Sequence, residues 1–244
     1  MFRMFATTKR TKILPKSFLS AIIAILLVAN FYIIFAYDLE LSRWARLIST
    51  FVLFIVLVWQ GTFSKRMLAA FFLLLISDLG LFNYEDPLTN AGTFLVRISA
   101  YLLLVFVVTP ELKNLQTNLF QKILFIVVFF LNLGMLYLLV DMIPYQYMYP
   151  GLNILFYAYG ISMITMVITA ISYSNRYSDT TSFYFTAATL FLVFSDITSF
   201  IAYYLEFYEF YYPDRFFYIL GIAGLVKFAS FARSHKPVAE LESL

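Results

Sequence analysis

The sequence predicts an all-α integral membrane protein that folds as an eight-helix transmembrane bundle. Of its 244 residues, 62% are apolar and 13% are charged, and the mean hydropathy is +0.84. Soluble domains are close to half apolar and a quarter charged. The apolar residues also form eight segments, each near the roughly 20 residues that a helix needs to cross a bilayer. They leave no length for a soluble catalytic domain, so any chemistry must take place in or beside the membrane.

Short breaks with turn-forming residues separate the apolar segments. In chain order, the clearest breaks are Asn83 to Pro87, Thr109-Pro110, Pro144 with Pro150-Gly151, Ser174 to Asp179, and Pro213. The segments predicted to be helices are 17–37, 44–61, 66–82, 92–109, 119–140, 151–173, 182–204 and 214–232. The chain is thereby divided into a basic N-terminus over 1–16, a transmembrane domain over 17–232 and a tail over 233–244.

The first two segments have the features of uncleaved membrane helices. The apolar run of the first is longer than the roughly 7 to 15 residues of a signal peptide, and no small-residue cleavage pattern ends it. In the second, Trp44 and Trp59 lie fifteen positions apart, about 22 Å along a helix. That spacing places one Trp at each membrane interface.

The basic residues predict the orientation of the helices, because cytoplasmic loops retain Lys and Arg. With the N-terminus inside, only Arg43, Arg46 and Arg215 fall on the outer side, and Arg97 lies within a helix. We expect a multi-pass protein of the plasma membrane, the inner membrane of the cell, with both termini cytoplasmic. The net charge of +3 is too small and scattered for a nucleic-acid surface.

The composition argues against cofactor chemistry. The chain has no Cys and one His, which leaves almost no ligands for a transition metal. It contains no phosphate-binding Gly loop and no HExxH, GxSxG or EF-hand pattern. We therefore expect no metal ion and no other cofactor.

Five polar residues within the apolar segments are the candidate site: Asp78, Arg97, Asp196, Asn30 and Asn132. Ionisable groups in a membrane are costly and usually serve a function. Counted from the predicted outer helix ends, all five lie at similar depth, in the outer half of the bilayer. This predicts one polar cavity lined by helices one, three, four, five and seven.

The expected ion pair in this cavity joins Arg97 to Asp78, because Asp196 has no basic residue at its own depth. Desolvation and a neighbouring Arg act in opposite directions on a carboxyl group, so Asp196 is expected to be the proton donor and Asp78 the base. Ser195 does not face the adjacent Asp196, because consecutive helical residues point apart. The alternative is that the Asp and Arg residues only hold helices together.

An internal repeat relates the two halves of the chain. Residues 73–78 have the sequence LLLISD and residues 191–196 have the sequence FLVFSD, an offset of 118 positions. The same offset matches Arg97 with Arg215. Four helices per half would give two parallel four-helix repeats.

The segments LLLISDLGLF from Leu73 and LFLVFSD from Leu190, together with Gly92, Phe94 and Tyr101, resemble the YhhN-like lysoplasmalogenase family. The resemblance implies a multi-spanning hydrolase that cleaves the vinyl-ether bond of lysoplasmalogens, with a membrane lysolipid as its substrate. The products are a fatty aldehyde and a glycerophospho head group.

Carried over to this chain, the resemblance implicates Asp78 and Asp196 as catalytic groups, with Ser195 beside the second. Together with Arg97, Asn30 and Asn132, Ser195 is expected to bind substrate. The chain departs from the family pattern in having Ile98 where a His is usual. The alternative function is non-catalytic: a small transporter or a lipid-binding protein that uses the same pocket.

Overall fold

The computed structural model describes residues 16–61, 64–112, 119–144 and 149–232, and this part of the chain contains helices and no strand. Its helices are α1 Lys16–Ala36, α2 Leu39–Gln60, α3 Lys65–Gly80, α4 Pro87–Val108, α5 Leu119–Asp141, α6 Leu152–Tyr177, α7 Thr180–Tyr204 and α8 Tyr211–Ala232. The all-α, eight-helix prediction is confirmed. The predicted tail and the N-terminus before α1 lie outside the described residues.

Two helices begin five residues earlier than predicted because an Asp caps each of them. The carboxylate of Asp38 accepts a hydrogen bond from the Leu41 backbone N–H at 3.0 Å, and α2 begins at the next residue. The carboxylate of Asp86 accepts from the Thr89 N–H at 2.8 Å, ahead of α4. Such side chains satisfy the N–H groups that the first helical turn leaves unpaired. Each helix therefore starts five residues before its apolar segment.

Seven of the helices, all except α5, are long and apolar enough to cross a membrane within the residues that the structure describes. The eighth, α5, is 23 residues long, and its described apolar part runs over Phe129–Asp141. The chain is thus a multi-pass membrane protein.

Six helices form a closed ring in the order α2, α3, α4, α6, α7, α8, and α8 packs back against α2. Helix α1 lies outside the ring against α2 and α8, and α5 packs chiefly on α6. Moving every helix four places along the chain maps α3–α4 onto α7–α8 and α1–α2 onto α5–α6, but the packing of α1 on α8 has no counterpart of similar extent between α5 and α4. Most helix pairs of one half therefore have a counterpart in the other half.

The closest helix pair in the ring is α7 with α8. A Cβ atom placed on Gly224 would lie 2.9 Å from the Cβ of Ala188, and one on Gly221 would lie 3.0 Å from Leu192. Small residues let membrane helices approach closely enough for their backbones to make contact. This close contact fixes the position of the polar residues that α7 and α8 bring into the ring.

Candidate functional site

Six charged side chains are buried inside the ring, near the end where α2, α4 and α8 begin. They are Arg46, Asp78, Arg97, Asp196, Asp214 and Arg215, with relative exposures of 1%, 0%, 7%, 7%, 0% and 2%. Three positive and three negative charges balance one another. Charges taken out of water are stable only when they are paired in this way.

Arg46 connects two of the carboxylates. Its Nε lies 3.0 Å from Oδ1 of Asp78, and its Nη1 lies 3.1 Å from both oxygens of Asp214. Arg215 pairs with Asp214 as well, and the Ser195 hydroxyl donates to the same carboxylate at 2.6 Å. Helices α2, α3, α7 and α8 are therefore joined through one network.

Asp78 is fully enclosed by donors. Besides Arg46, the hydroxyl of Thr50 donates to it at 2.5 Å and that of Tyr218 at 2.6 Å. The Tyr218 ring also lies against the Arg46 guanidinium, 3.7 Å from its carbon to the ring centre. This carboxylate is held in place on all sides.

Arg97 pairs with Asp196, with Nη2 and Oδ1 3.2 Å apart. The Tyr101 hydroxyl donates to the other oxygen of Asp196, and the Tyr159 hydroxyl interacts with the same carboxylate. The rings of the two tyrosines are stacked, with centres 5.8 Å apart. Asp196 therefore has one cation and two phenols as neighbours.

The expected pair between Arg97 and Asp78 is wrong. Because α4 begins at Pro87, Arg97 lies ten residues into its helix, roughly 15 Å from the end of the bundle. Asp196 lies eight residues from the end of α7, roughly 12 Å deep. Asp78, two residues from the end of α3, is much shallower and meets Arg46 of the neighbouring helix instead.

A cavity of about 100 Å³ opens among these groups, enough for several water molecules. Five of the six ring helices line it, α3 is represented only by Leu81 in the turn that follows it, and α5 contributes Leu136, Leu139 and Val140. Its wall carries the side chains of Arg43, Arg46, Arg97, Arg215 and Asp196 among apolar and aromatic groups. Within the described residues, no group of three His, Cys, Asp or Glu side chains could hold a metal ion.

Polar contacts surround the mouth of the cavity. Arg43 pairs with Glu85, in the connection between α3 and α4. Partial burial raises the pKa of Glu85, but the hydrogen bond and charge of Arg43, together with a backbone hydrogen bond, outweigh burial and leave that pKa below its usual value. Burial raises the pKa of Tyr84, the neighbouring residue, well above 10. Its hydroxyl lies 3.4 Å from that of Tyr204, on α7.

Several predicted site residues lie away from the cavity wall. Asn30 donates to Ser49 and to the carbonyl of Leu26, each at 2.8 Å, because α1 packs outside the ring. Asn132 is half-buried on α5 and is not among the lining residues. Ser195 faces Asp214 behind the cavity. The predicted lining by helices one, three, four, five and seven is thus wrong for α1 and for α3, which contributes only Leu81 just beyond its end, and α2, α6 and α8 were missed.

Three of the six charged residues were missed by sequence reasoning. Arg46 and Arg215 were placed at the outer membrane edge, and Asp214 beside them, because the predicted helices began too late. One signal pointed to Arg215: the 118-residue offset matches it with Arg97, and both line the cavity. No comparable pattern identified Arg46 or Asp214.

Comparison with known proteins gives a match to the model of the YhhN family over residues 42–224. This stretch is about three quarters of the chain and runs from α2 into α8. It contains every charged residue of the cavity wall. No curated protein and no solved structure matches the chain.

Proposed function

Since this chain belongs to the YhhN family, we propose that it is a membrane lysoplasmalogenase that hydrolyses the vinyl-ether bond of a lysoplasmalogen. The products are a fatty aldehyde and a glycerophospho head group. One observation carries the proposal: Asp196 is the carboxyl group on the cavity wall, and Arg97 and Tyr101 hold it in place. A protein of this kind needs an acid that a lipid can reach inside the membrane.

The lining of the cavity suits a single-chain lipid. Apolar side chains on the cavity wall, including Phe94, Phe156, Phe200 and Leu136, offer contact to a hydrocarbon chain. The charged side chains provide the polar contacts that a head group requires. The vinyl-ether bond lies between chain and head group, so the lipid would present it where these two kinds of lining meet.

The reaction begins when Asp196 gives its proton to the vinyl carbon that is not bonded to oxygen, leaving an oxocarbenium ion. Water adds to the cationic carbon and returns a proton to the carboxylate. The hemiacetal then breaks at the bond between its carbon and the glycerol oxygen: the hemiacetal hydroxyl loses its proton to become the aldehyde carbonyl, the glycerol oxygen takes up a proton, and the aldehyde leaves. Burial favours a neutral carboxyl and the adjacent guanidinium favours a carboxylate, which suits a group that gives and regains a proton in each turnover.

Asp78 serves this reaction indirectly. It is 0% exposed and is not among the cavity-lining residues, so a base role would require the network around it to open. We propose instead that Asp78 positions Arg46, because its carboxylate accepts a hydrogen bond from the Arg46 Nε. Asn30, Ser195 and Asn132 take no part in substrate contact in this proposal.

The test is aldehyde release from a vinyl-ether lysophospholipid by the detergent-purified protein. Asp196→Asn is expected to lower turnover by at least about a hundredfold, as for loss of a general acid. Asp141→Asn, an exposed carboxylate at the end of α5, is the matched control and should turn over normally. Normal turnover by Asp196→Asn would overturn the proposal.

A non-catalytic role, as a small transporter or lipid-binding protein, is the second candidate. The observation in its favour is that each of the three buried carboxylates is paired with an Arg, as in a purely structural network. Under this alternative the purified, folded protein releases no aldehyde, although a known vinyl-ether hydrolase in the same assay does.

A further inference from the structure

The charge of the cavity wall differs from the charge of the buried network as a whole. The network is balanced, but two of its carboxylates, Asp78 and Asp214, are 0% exposed and lie behind the cavity. The wall itself presents four guanidinium groups and one carboxylate. A negatively charged group in the cavity would therefore be surrounded mainly by positive charge.

Three of these guanidinium groups also have donor nitrogens that are not used in hydrogen bonds among the described residues. Nη2 of Arg46, Nε of Arg97 and Nε of Arg215 are buried and have no hydrogen-bond partner among the described residues. All three side chains are more than nine-tenths buried and line the same cavity. Buried donors of charged groups are normally satisfied, so three in one place indicate a missing acceptor.

From these two observations we propose that Arg46, Arg97 and Arg215 form a binding site for a phosphate oxyanion. Guanidinium is planar, always charged and matched to the oxygens of phosphate. The rigid network behind the wall fixes the three groups before the ligand arrives. The site rests on the proposed function only in naming the lysolipid as carrier of the phosphate; a free phosphate ion would use the same donors.

The three arginines differ in which carboxylates depend on them for an ion pair. Removing Arg46 would leave Asp78 without a cation, and removing Arg97 would do the same to Asp196. Arg215 can be removed while Asp214 keeps Arg46 as its partner. Arg215→Gln is therefore the variant that tests the site with least damage to the network.

The experiment compares 1-O-hexadecylglycerol 3-phosphate with 1-O-hexadecylglycerol, which has the same chain and no phosphate. Both contain a saturated ether, so a vinyl-ether hydrolase does not consume them. Dissociation constants are measured by titrating the full chain in a non-ionic detergent and phosphate-free buffer. We expect the phosphate lipid to bind at least about tenfold more tightly, as for hydrogen bonds to a charged group.

Arg215→Gln is expected to remove most of this preference, whereas Arg215→Lys, which keeps the charge, should retain more of it. Arg66→Gln is the matched control, because Arg66 is exposed at the start of α3, the end of that helix away from Asp78 and the cavity. Equal affinities for the two lipids in the unmodified protein would overturn the site, and that comparison requires no variant to fold. A preference that Arg215→Gln leaves intact in a folded protein would overturn it as well.

Two further measurements identify the carrier and separate this site from the hydrolase proposal. Competition by inorganic phosphate supports a site that accepts the free ion, and its absence alongside a lipid preference supports a site for lipid-borne phosphate. A phosphate preference without aldehyde release keeps the site and rejects the hydrolase. Aldehyde release without a phosphate preference keeps the hydrolase proposal and rejects the phosphate site.

Discussion

Arg46 illustrates how a single side chain organises the interior of this protein. Its guanidinium contacts carboxylates from α3 and α8 at about 3 Å and also lies on the ring of Tyr218. Lys could not replace it, because a single ammonium group cannot offer the same fork of donors to two carboxylates. Arg46 is thus the cation that Asp78 and Asp214 share, although each carboxylate also accepts hydrogen bonds from other side chains.

Asp78 and its neighbour Ser77 should respond in opposite ways to substitution, although both are 0% exposed. Asp78→Asn removes the charge that pairs with Arg46 and is expected to destabilise the fold by about 3 kcal/mol, the lower end of the cost of breaking a buried ion pair. The Ser77 hydroxyl has no hydrogen-bond partner among the described residues, so Ser77→Ala should be neutral or slightly stabilising. Thermal unfolding in detergent measures both, and an unchanged midpoint for Asp78→Asn would contradict its positioning role.

At the scale of helices, the starts of α2 and α4 decide which residues meet. Asp38 and Asp86 cap these helices several residues before the apolar runs begin. Because of the early starts, Arg46 and Arg97 lie deeper in the bundle than the apolar segments alone predict. A polar first turn is cheap at a membrane surface, where water and caps satisfy the backbone groups, so hydropathy alone underestimates helix length.

Helix α7 should lose its close contact with α8 if Gly224 gains a side chain. In Gly224→Ala the new Cβ would lie 2.9 Å from the Cβ and 3.3 Å from the Cα of Ala188, so the helices must separate. We expect a loss of about 1 to 3 kcal/mol, typical of overpacking, measured as a lower unfolding midpoint.

Two variants control this experiment. Gly134→Ala, on α5, meets nothing within 4 Å and should be neutral or stabilising, because Ala favours the helix. Adding Ala188→Gly to Gly224→Ala removes the nearest contact and should restore part of the stability. If Gly224→Ala unfolds at the same temperature as the unmodified protein, α7 and α8 are not as close as described.

For the molecule as a whole, the ring explains why the buried charges of the described residues gather around one cavity near one end. Six helices converge on a single interior, and the helices that lie outside the ring, α1 and α5, reach this interior only through the apolar residues of α5.

The orientation of the bundle in the membrane is a prediction at this scale, and the absence of Cys from the chain makes it easy to test. Tyr208, between α7 and α8, is 62% exposed, and Thr180, at the start of α7, is also exposed. We expect an impermeant maleimide to label Tyr208→Cys in intact cells and Thr180→Cys only after permeabilisation. The opposite pattern would place the termini outside.

The sequence by itself determined the membrane class, the eight helices and the presence of Asp78, Arg97 and Asp196 inside them, because apolar length and isolated charges are local properties. Only the tertiary structure decided that Asp196 forms its ion pair with Arg97, that Asp78 forms its ion pair with Arg46, and that Asn30 lies outside the ring. Ion-pair partners depend on which helices are neighbours and on the depth of each charge along its helix. Both are set by capping and lateral packing, which the order of residues along a helix does not reveal.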